Sequence, residues 1–292
     1  MNGKPEWLVV KAPHHRTLES MQTLFKTLEL HTICENADCP NMGECFNSKT
    51  ASFMILGNIC TRSCRYCAVG KGKPGVVDPE EPDHLAQAVQ SLALKHVVVT
   101  SVTRDDLPDG GAEQFAAAIN KIRVLNPLTT IEVLIPDFQG NSKALKTVIQ
   151  AKPDVLNHNI ETIPRLYSTV RPQADFSRSL QLLASTKELA PDLVTKSGIM
   201  VGLGESEPEM LTVFRALRAV HCDVLTIGQY LQPTQKHIAV KEYVNPIMFE
   251  RYKEAAIALG FKHVAAGPFV RSSYKALEGI QLIRANQHRI KP

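Results

Sequence analysis

The sequence predicts an α/β fold: a partial (β/α)6 barrel of the TIM type, flanked by N- and C-terminal extensions. Three observations carry this prediction. Short β-branched runs alternate six times with amphipathic segments between residues 52 and 231. The runs are nearly continuously apolar, as parallel strands covered by crossover helices are. Polar residues gather at the C-terminal ends of the runs, where barrel enzymes place their chemistry: Asn58 and Cys60, Thr100 and Ser101, Asp137, Asn157 to Glu161, Ser197 and Gln229. No Gly-x-Gly-x-x-Gly follows the first run, which argues against a doubly wound dinucleotide fold.

The strand runs fall at 52–59, 96–101, 130–135, 154–159, 193–201 and 223–231. Between them Leu85, Val89 and Leu92, then Phe115, Ile119 and Ile122, then Met210, Phe214 and Leu217 repeat at three or four residues, the spacing of helices that bury one face. Before the barrel, residues 15–30 read as one helix through Leu18, Met21, Phe25 and Leu28, followed by a loop with three cysteines. After it, 246–259 read as a helix, 261–266 as a short strand and Arg271-Ser-Ser-Tyr274 as a polar segment. With no repeat or low-complexity stretch between them, an N-terminal extension (1–50), the barrel (51–245) and a C-terminal extension (246–292) are expected to form one integrated domain.

Composition narrows the classes of function. The 292 residues, 44% hydrophobic and 21% charged, have an ordinary globular balance and suffice for a sizeable core. No apolar run approaches the ~18 residues of a membrane span, and Met1-Asn-Gly-Lys-Pro-Glu-Trp7 lacks the apolar stretch of an export signal. A net charge of +4 is too mild and scattered for nucleic acid, although 11–16 and 284–291 are locally basic. The expectation is a soluble cytoplasmic protein with no membrane or nucleic-acid partner.

Six of the seven cysteines fall between positions 34 and 67, and Cys222 stands alone. The odd count and the missing export signal argue against a disulfide framework. The strongest motif is Cys60-Thr-Arg-Ser-Cys64-Arg-Tyr-Cys67, a Cys-x3-Cys-x2-Cys triplet directly after the first strand. Three thiolates on a tight loop hold three irons of a cubane cluster and leave the fourth open. A zinc knuckle or structural thiols are the alternatives, but zinc takes four tetrahedral ligands, usually from paired Cys-x2-Cys hooks. The second triplet, Cys34-Glu-Asn-Ala-Asp-Cys39-Pro-Asn-Met-Gly-Glu-Cys45, has the spacing Cys-x4-Cys-x5-Cys.

The first triplet, with an aromatic residue before its last cysteine, resembles the signature of the radical S-adenosylmethionine (SAM) superfamily. That resemblance implies an open iron binding the amino and carboxylate groups of SAM, and electron transfer from the cluster that yields a 5′-deoxyadenosyl radical. The second triplet resembles that of the lipoyl synthase family, where it holds an auxiliary four-iron cluster. Further words of that family are matched by Thr100-Ser-Val-Thr-Arg-Asp-Asp-Leu-Pro-Asp-Gly-Gly-Ala112, by Asn157-His-Asn-Ile-Glu-Thr162 with Val170-Arg-Pro172, and by Ser197-Gly-Ile-Met-Val-Gly-Leu-Gly-Glu205. Gly228-Gln-Tyr-Leu-Gln-Pro233 and Gly267-Pro-Phe-Val-Arg-Ser-Ser-Tyr274 extend the likeness over nearly the whole chain.

The resemblance implies two 4Fe-4S clusters and SAM as cofactors. Cys60, Cys64 and Cys67 would hold the radical cluster; Cys34, Cys39 and Cys45 would hold the auxiliary one, with Ser273 as its oxygen ligand. An alkoxide on an iron otherwise surrounded by sulfur is the easier ligand to lose, which suits a cluster that gives up sulfur. Ser272 reads as a helix N-cap. Because Ser273 lies far along the chain from the triplet it would complete, both extensions must cover the barrel mouth. Thr100 and Ser101 end the second strand, where the superfamily binds the amino group of SAM. Asn159, Glu161 and Arg171 lie beyond the fourth, suited to a ribose and a carboxylate. The bland reading of Asn159 and Glu161 is that they close a loop. In place of the superfamily's usual Gly-Gly-Glu, Gly110-Gly111 precede Ala112.

The implied substrate is an octanoyl chain amide-linked to a lysine of a lipoyl carrier domain, as in 2-oxoacid dehydrogenase complexes or the glycine cleavage H protein, sulfurated at C6 and C8. Implied partners are an electron donor such as flavodoxin or ferredoxin and a cluster-resupply protein. Two other readings stand beside this one: a second cluster used only for electron transfer, and a zinc-stabilised binding module. His158 reads as a packing histidine, because radical hydrogen abstraction needs no general base. Cys222 reads as a small core residue, and Met54, Met200 and Met210 as apolar-face residues without chemistry.

Overall fold

The computed structural model describes residues 5–9, 15–36, 39, 41–47 and 52–290. Of the basic terminal stretches, residues 11–14 and Lys291 lie outside the described residues. Among the described residues the main sheet has eight strands in chain order: β1 (His31–Thr32), β2 (Ser52–Ile55), β3 (His96–Ser101), β4 (Thr130–Leu134), β5 (Val155–Asn157), β6 (Val194–Val201), β7 (Val224–Gln229) and β8 (His263–Gly267). β1 runs antiparallel to β2, and every later neighbour is parallel. Helix α1 (His15–Thr27) precedes the sheet. Helices α2 (Glu81–Ser91), α3 (Ala112–Leu125), α4 (Ser142–Gln150), α5 (Phe176–Leu189), α6 (Glu207–Ala219) and α7 (Pro246–Ala258) cross over between successive parallel strands, and α8 (Ala276–Ile290) comes last. β1 and β8 end the strand order unpaired to each other, so the barrel is partial.

The crossover helices start where the sequence supplies caps. Asn141 Oδ1 accepts the N–H groups of Lys143 and Ala144 at α4, and Asp175 accepts that of Arg178 at α5. Ser206 and Glu209 form a capping box at α6, and Asn245 with Pro246 opens α7. Among the described residues no helix is long and apolar enough to cross a membrane.

Three features differ from the sequence expectation. The run at 52–59 is broken: β2 stops at Ile55, Leu56 takes a φ of 68°, and its N–H donates to the Glu81 carboxylate at 2.9 Å. This left-handed residue turns the chain off the sheet, and Cys60 emerges in a short ribbon, Ile59–Cys60 against Gly70–Lys71. The run at 261–266 is a seventh parallel strand, β8, in register from His263 opposite Val224 to Gly267 opposite Gly228. It covers what would otherwise be the bare edge of β7.

The third difference is the path of the C-terminal stretch, which turns back into the concave face of the barrel. Two glycines make the space. A Cβ on Gly228 would drive into the backbone oxygen of Val270, and one on Gly198 would meet Asn159 Oδ1 at 2.8 Å and Ser272 Oγ at 3.0 Å. Beyond this crossing, α8 packs Ile280 and Ile283 on Val155, Val194 and Val224, the first residues of β5 to β7. Burial of each isoleucine stabilises that seat by about 1.5–3 kcal/mol. The C-terminal extension therefore does more than cover the mouth: it runs from the mouth to the floor.

Candidate active site

A cavity of about 650 Å³ opens at the C-terminal ends of the parallel strands. Its lining includes Cys34, Cys39 and Cys45, Cys60, Cys64 and Cys67, Thr100 and Ser101, Asn159, Glu161 and Arg171, and Ser272 and Ser273. All the site residues expected from the sequence thus border one space, although they come from both ends of the chain and four strand ends.

The loop from Cys60 to Cys67 is pinned to the barrel. Thr61 donates through its N–H and its hydroxyl to Thr103 O at 3.0 and 2.9 Å, and its hydroxyl accepts the Asp105 N–H at 3.1 Å. Arg62 is buried between two carboxylates, donating to Asp105 at 2.6 and 2.9 Å and to Asp137 at 2.6 Å. Burial alone would raise the Asp137 carboxyl, but the hydrogen bond and charge of Arg62 outweigh it and hold it at about 2. Further along, Ser63 donates to Gln173, and Cys67 O meets His237 Nε2 at 3.0 Å. Cys60 Sγ accepts the N–H groups of Thr103 and Arg62 at 3.3 and 3.4 Å. Burial pushes the Cys64 thiol up and the Cys67 thiol to about 12.

The other triplet rests on two short helices, Ile33–Asn36 carrying Cys34 and Met42–Asn47 carrying Cys45. Cys39 N–H donates to Cys34 O at 3.0 Å and Cys45 N–H to Asn41 O at 2.9 Å. Two bonds tie this loop to the C-terminal segment: Asn41 Nδ2 to Phe269 O at 2.6 Å, and the Tyr274 hydroxyl to Glu44 at 3.0 Å. The half-buried Arg271 guanidinium donates to Val270 O at 2.7 Å, and its charge acts on Cys39. Burial pushes the Cys34 thiol to about 12 and the Cys45 thiol to about 11.

Between the triplets lies a polar patch. Thr100 donates to Leu134 O at 2.9 Å. Asn159 Nδ2 donates to Ser272 Oγ at 2.6 Å and to Glu161 at 3.1 Å, and Arg171 Nη1 donates to Asn159 O at 2.9 Å. The loop-closing reading of Glu161 holds for its backbone, whose N–H donates to Gly198 O and whose carbonyl accepts the Met200 N–H, at a φ of 64°. Its side chain turns instead toward Asn159 and Tyr66, and burial raises the carboxyl above its ordinary range. A left-handed glutamate stores strain that loop closure alone does not require.

Several other expectations resolve here. Ser272 is not a helix cap; its hydroxyl is taken by Asn159, and α8 begins only at Ala276. Gly110 and Gly111 do not line the cavity. They occupy left-handed backbone at the start of α3, where Asp109 accepts the N–H groups of Gly111 and Glu113. His158 is a packing residue, held by Ile135 O at 2.9 Å and Ser179 Oγ at 3.0 Å, and burial lowers it to about 4. Cys222 is fully buried, as a core residue would be.

The donor set suits the cofactors in kind. Buried thiols shed their protons readily only to a metal. Each thiolate of a four-iron cluster meets its own iron, and the three cysteines of each triplet line the cavity. Ser101 Oγ, Asn159 Oδ1 and Arg171 Nε are buried without a hydrogen-bond partner, and all three belong to cavity residues. Buried polar atoms ordinarily have partners, and a polar cofactor would provide them. Sequence reasoning picked out Asp137 as a strand-end residue and Tyr66 as the aromatic residue before Cys67, but missed the pairing of Arg62 with Asp105 and Asp137 and the ties of Asn41 and Tyr274. The Asp105 signal was present, inside the Thr100–Ala112 word, but the spacing gave no hint of its arginine.

Residues 54–217 match the model of the radical SAM superfamily. Solved structures agree in fold: Streptococcus suis SuiB bound to S-adenosylmethionine (TM-score 0.58, 11% identity, 86% of this chain and 60% of that one) and methylornithine synthase, PylB (TM-score 0.52, 13% identity, 82% and 81%). Barrel and cysteine loop together are those of a radical SAM enzyme. Among curated relatives, the lipoyl synthase of Caldanaerobacter subterraneus subsp. tengcongensis is 59% identical over 281 residues, 96% of this chain and 98% of that one. That of Alkaliphilus metalliredigens is 55% identical over 278 residues (95% and 96%), and that of Chromobacterium violaceum 52% over 274 (94% and 87%). The chain belongs to the lipoyl synthase family.

Proposed function

We propose that the cavity is where two sulfur atoms are inserted at C6 and C8 of an octanoyl chain carried on a lysine of a lipoyl carrier domain. The activity follows from family membership. The observation that carries the site assignment is the meeting of both cysteine triplets with Ser273 around one cavity of about 650 Å³. Cys60, Cys64 and Cys67 hold one four-iron cluster in this reading, and Cys34, Cys39, Cys45 and Ser273 the other. When bound, these groups and SAM supply a carbon radical able to take hydrogen from an unactivated methylene, and the sulfur that replaces it.

The side chains bind, orient and exclude water. Arg171 offers a cation to the SAM carboxylate, Thr100 and Ser101 offer hydroxyl oxygens to its ammonium, and Asn159 and Glu161 accept from its ribose. Met54, Leu134, Ile135, Ile199 and Met200 form an apolar wall along which the acyl chain lies. Ser273 would hold one iron of the second cluster through its hydroxyl oxygen, a harder and more easily displaced ligand than the cysteine sulfurs. The reading requires carrier domains such as those of 2-oxoacid dehydrogenase complexes or the glycine cleavage H protein, a donor such as flavodoxin or ferredoxin, and a cluster-resupply protein, all in the cytoplasm.

Anaerobically purified protein should carry about eight irons per chain; none would return the zinc-module reading. Ser273→Ala should still cleave SAM but lose sulfur transfer, and full lipoyl formation by this variant would overturn the ligand assignment. In the absence of resupply, product should stop at about one per chain, because the sulfur source is consumed. Continued turnover would favour a second cluster that only passes electrons.

A further inference from the structure

The rim of the cavity carries charge that the chemistry inside does not use. Between Cys60 and Val77, and again between Gly228 and Lys241, the sequence holds no Asp or Glu. These two stretches lie side by side: Ile238 N–H donates to Arg65 O at 3.0 Å, and His237 Nε2 meets Cys67 O at 3.0 Å. Each also borders the cavity, one through Lys71 and the other through Gln232. Arg65, Lys71, Lys73 and Lys236 are exposed, and among the described residues none of the four pairs with a carboxylate. The acids of the adjoining loop, Asp105 and Asp106, are matched by Arg62 and Arg104. Val76, in the same stretch as Lys71 and Lys73, is 99% exposed.

We propose that this basic rim is the docking surface for the carrier domain, and that the domain presents acidic side chains around its acylated lysine. The inference rests on the octanoyl-lysine reading of the cavity. An acyl-lysine arm spans about 15 Å, the length of four to five extended residues, so delivering its far carbons into the cavity brings the body of the domain onto the rim. The cavity admits the arm and not the domain. Four unmatched cations repel one another in the free enzyme and gain when an anionic face covers them. An exposed valine among them favours a protein face, which uses apolar anchors, over a nucleic-acid backbone, which is read by charge and hydrogen bonds.

The test is single-turnover kinetics of the reconstituted enzyme with dithionite as reductant, since each chain consumes its sulfur source, with the maximal rate (kcat) and the half-saturating concentration (KM) measured for an octanoylated carrier domain and for a short octanoyl-lysine peptide free of acidic residues. In the double variant Lys73→Glu/Lys236→Glu, the KM for the domain should rise ~10-fold with kcat unchanged, while peptide turnover stays as in the parent enzyme. The parent's KM for the domain, and not for the peptide, should rise with salt. An unchanged KM for the domain overturns the proposal, and so does an equal loss on domain and peptide, which would mark damage inside the cavity. A defect seen only when a protein reductant replaces dithionite assigns the rim to the electron donor and overturns it as well. Retention of a duplex oligonucleotide with no charge effect on the domain KM does the same in favour of nucleic acid. Failure of the parent enzyme on both substrates strikes the octanoyl-lysine reading itself.

Discussion

The two cysteine triplets face the same cavity but are held there by different means. The Cys60 loop is fastened by a buried charge network, with Arg62 between Asp105 and Asp137, and by backbone bonds to the ends of neighbouring strands. All of these partners belong to the barrel itself. The Cys34 loop sits on short helices and is tied through Asn41 and Tyr274 to a segment more than two hundred residues away. The difference teaches that the first site is a property of the barrel, whereas the second is composite and depends on how the C-terminal segment is seated. A loop held by buried charges resists rearrangement. The C-terminal segment is joined to the Cys34 loop by two polar ties, which part at a smaller cost than a buried charge network.

Exchanging the loss of function between the triplets is the severest trial of this comparison. Cys64→Ala should abolish SAM cleavage and leave the iron of the Cys34 triplet in place, while Cys39→Ala should preserve cleavage and abolish sulfur insertion. Measuring 5′-deoxyadenosine and lipoyl product side by side decides it, and loss of both activities in both variants would mean that the loops are not independent.

A smaller effect is expected from the anchor of the Cys60 loop. Asp137→Ala removes one of the two carboxylates that hold the buried Arg62, which keeps its pair with Asp105, and should cost about 1.5–3 kcal/mol in denaturant unfolding. The same pair gives a pH signature in the protein without iron. Because the folded Asp137 carboxyl lies at about 2, below its unfolded value of about 3.9, its contribution is complete above the unfolded value and is lost as pH falls toward 2. That loss amounts to about 2 kcal/mol and should vanish in Asp137→Asn; an unchanged acid slope would remove the network from the argument. At the mild end, Tyr274→Phe deletes the exposed bond to Glu44 and should cost ~1 kcal/mol or less. It should nevertheless speed iron loss from the Cys34 triplet under a chelator while the Cys60 triplet is unaffected.

Local spacing made much of this molecule legible. The six alternations, the cysteine triplets and the polar residues at strand ends are statements about neighbours in sequence, and neighbours in sequence set helix faces, strand faces and loop geometry. The strand at 261–266 was visible as a β-branched run, but its place as the seventh parallel strand was not, because an edge partner is chosen by the bare edge it finds. Ser272 looked like a helix cap from its neighbours, yet the curvature of the sheet brings Asn159 to it, 113 residues away.

What the sequence determined by itself is the chemistry available: six cysteines at two spacings, a serine in Arg-Ser-Ser-Tyr, and polar side chains at the ends of parallel strands. Only the tertiary structure decided that these meet around one space. The physical reason lies in long-range packing. The concave face is open at Gly198 and Gly228, where a side chain would block the path of Val270 and Ser272, and Ile280 and Ile283 hold the end of that path on the barrel floor. Contacts of this separation depend on the shape the whole sheet adopts, and no window of neighbouring residues contains that shape.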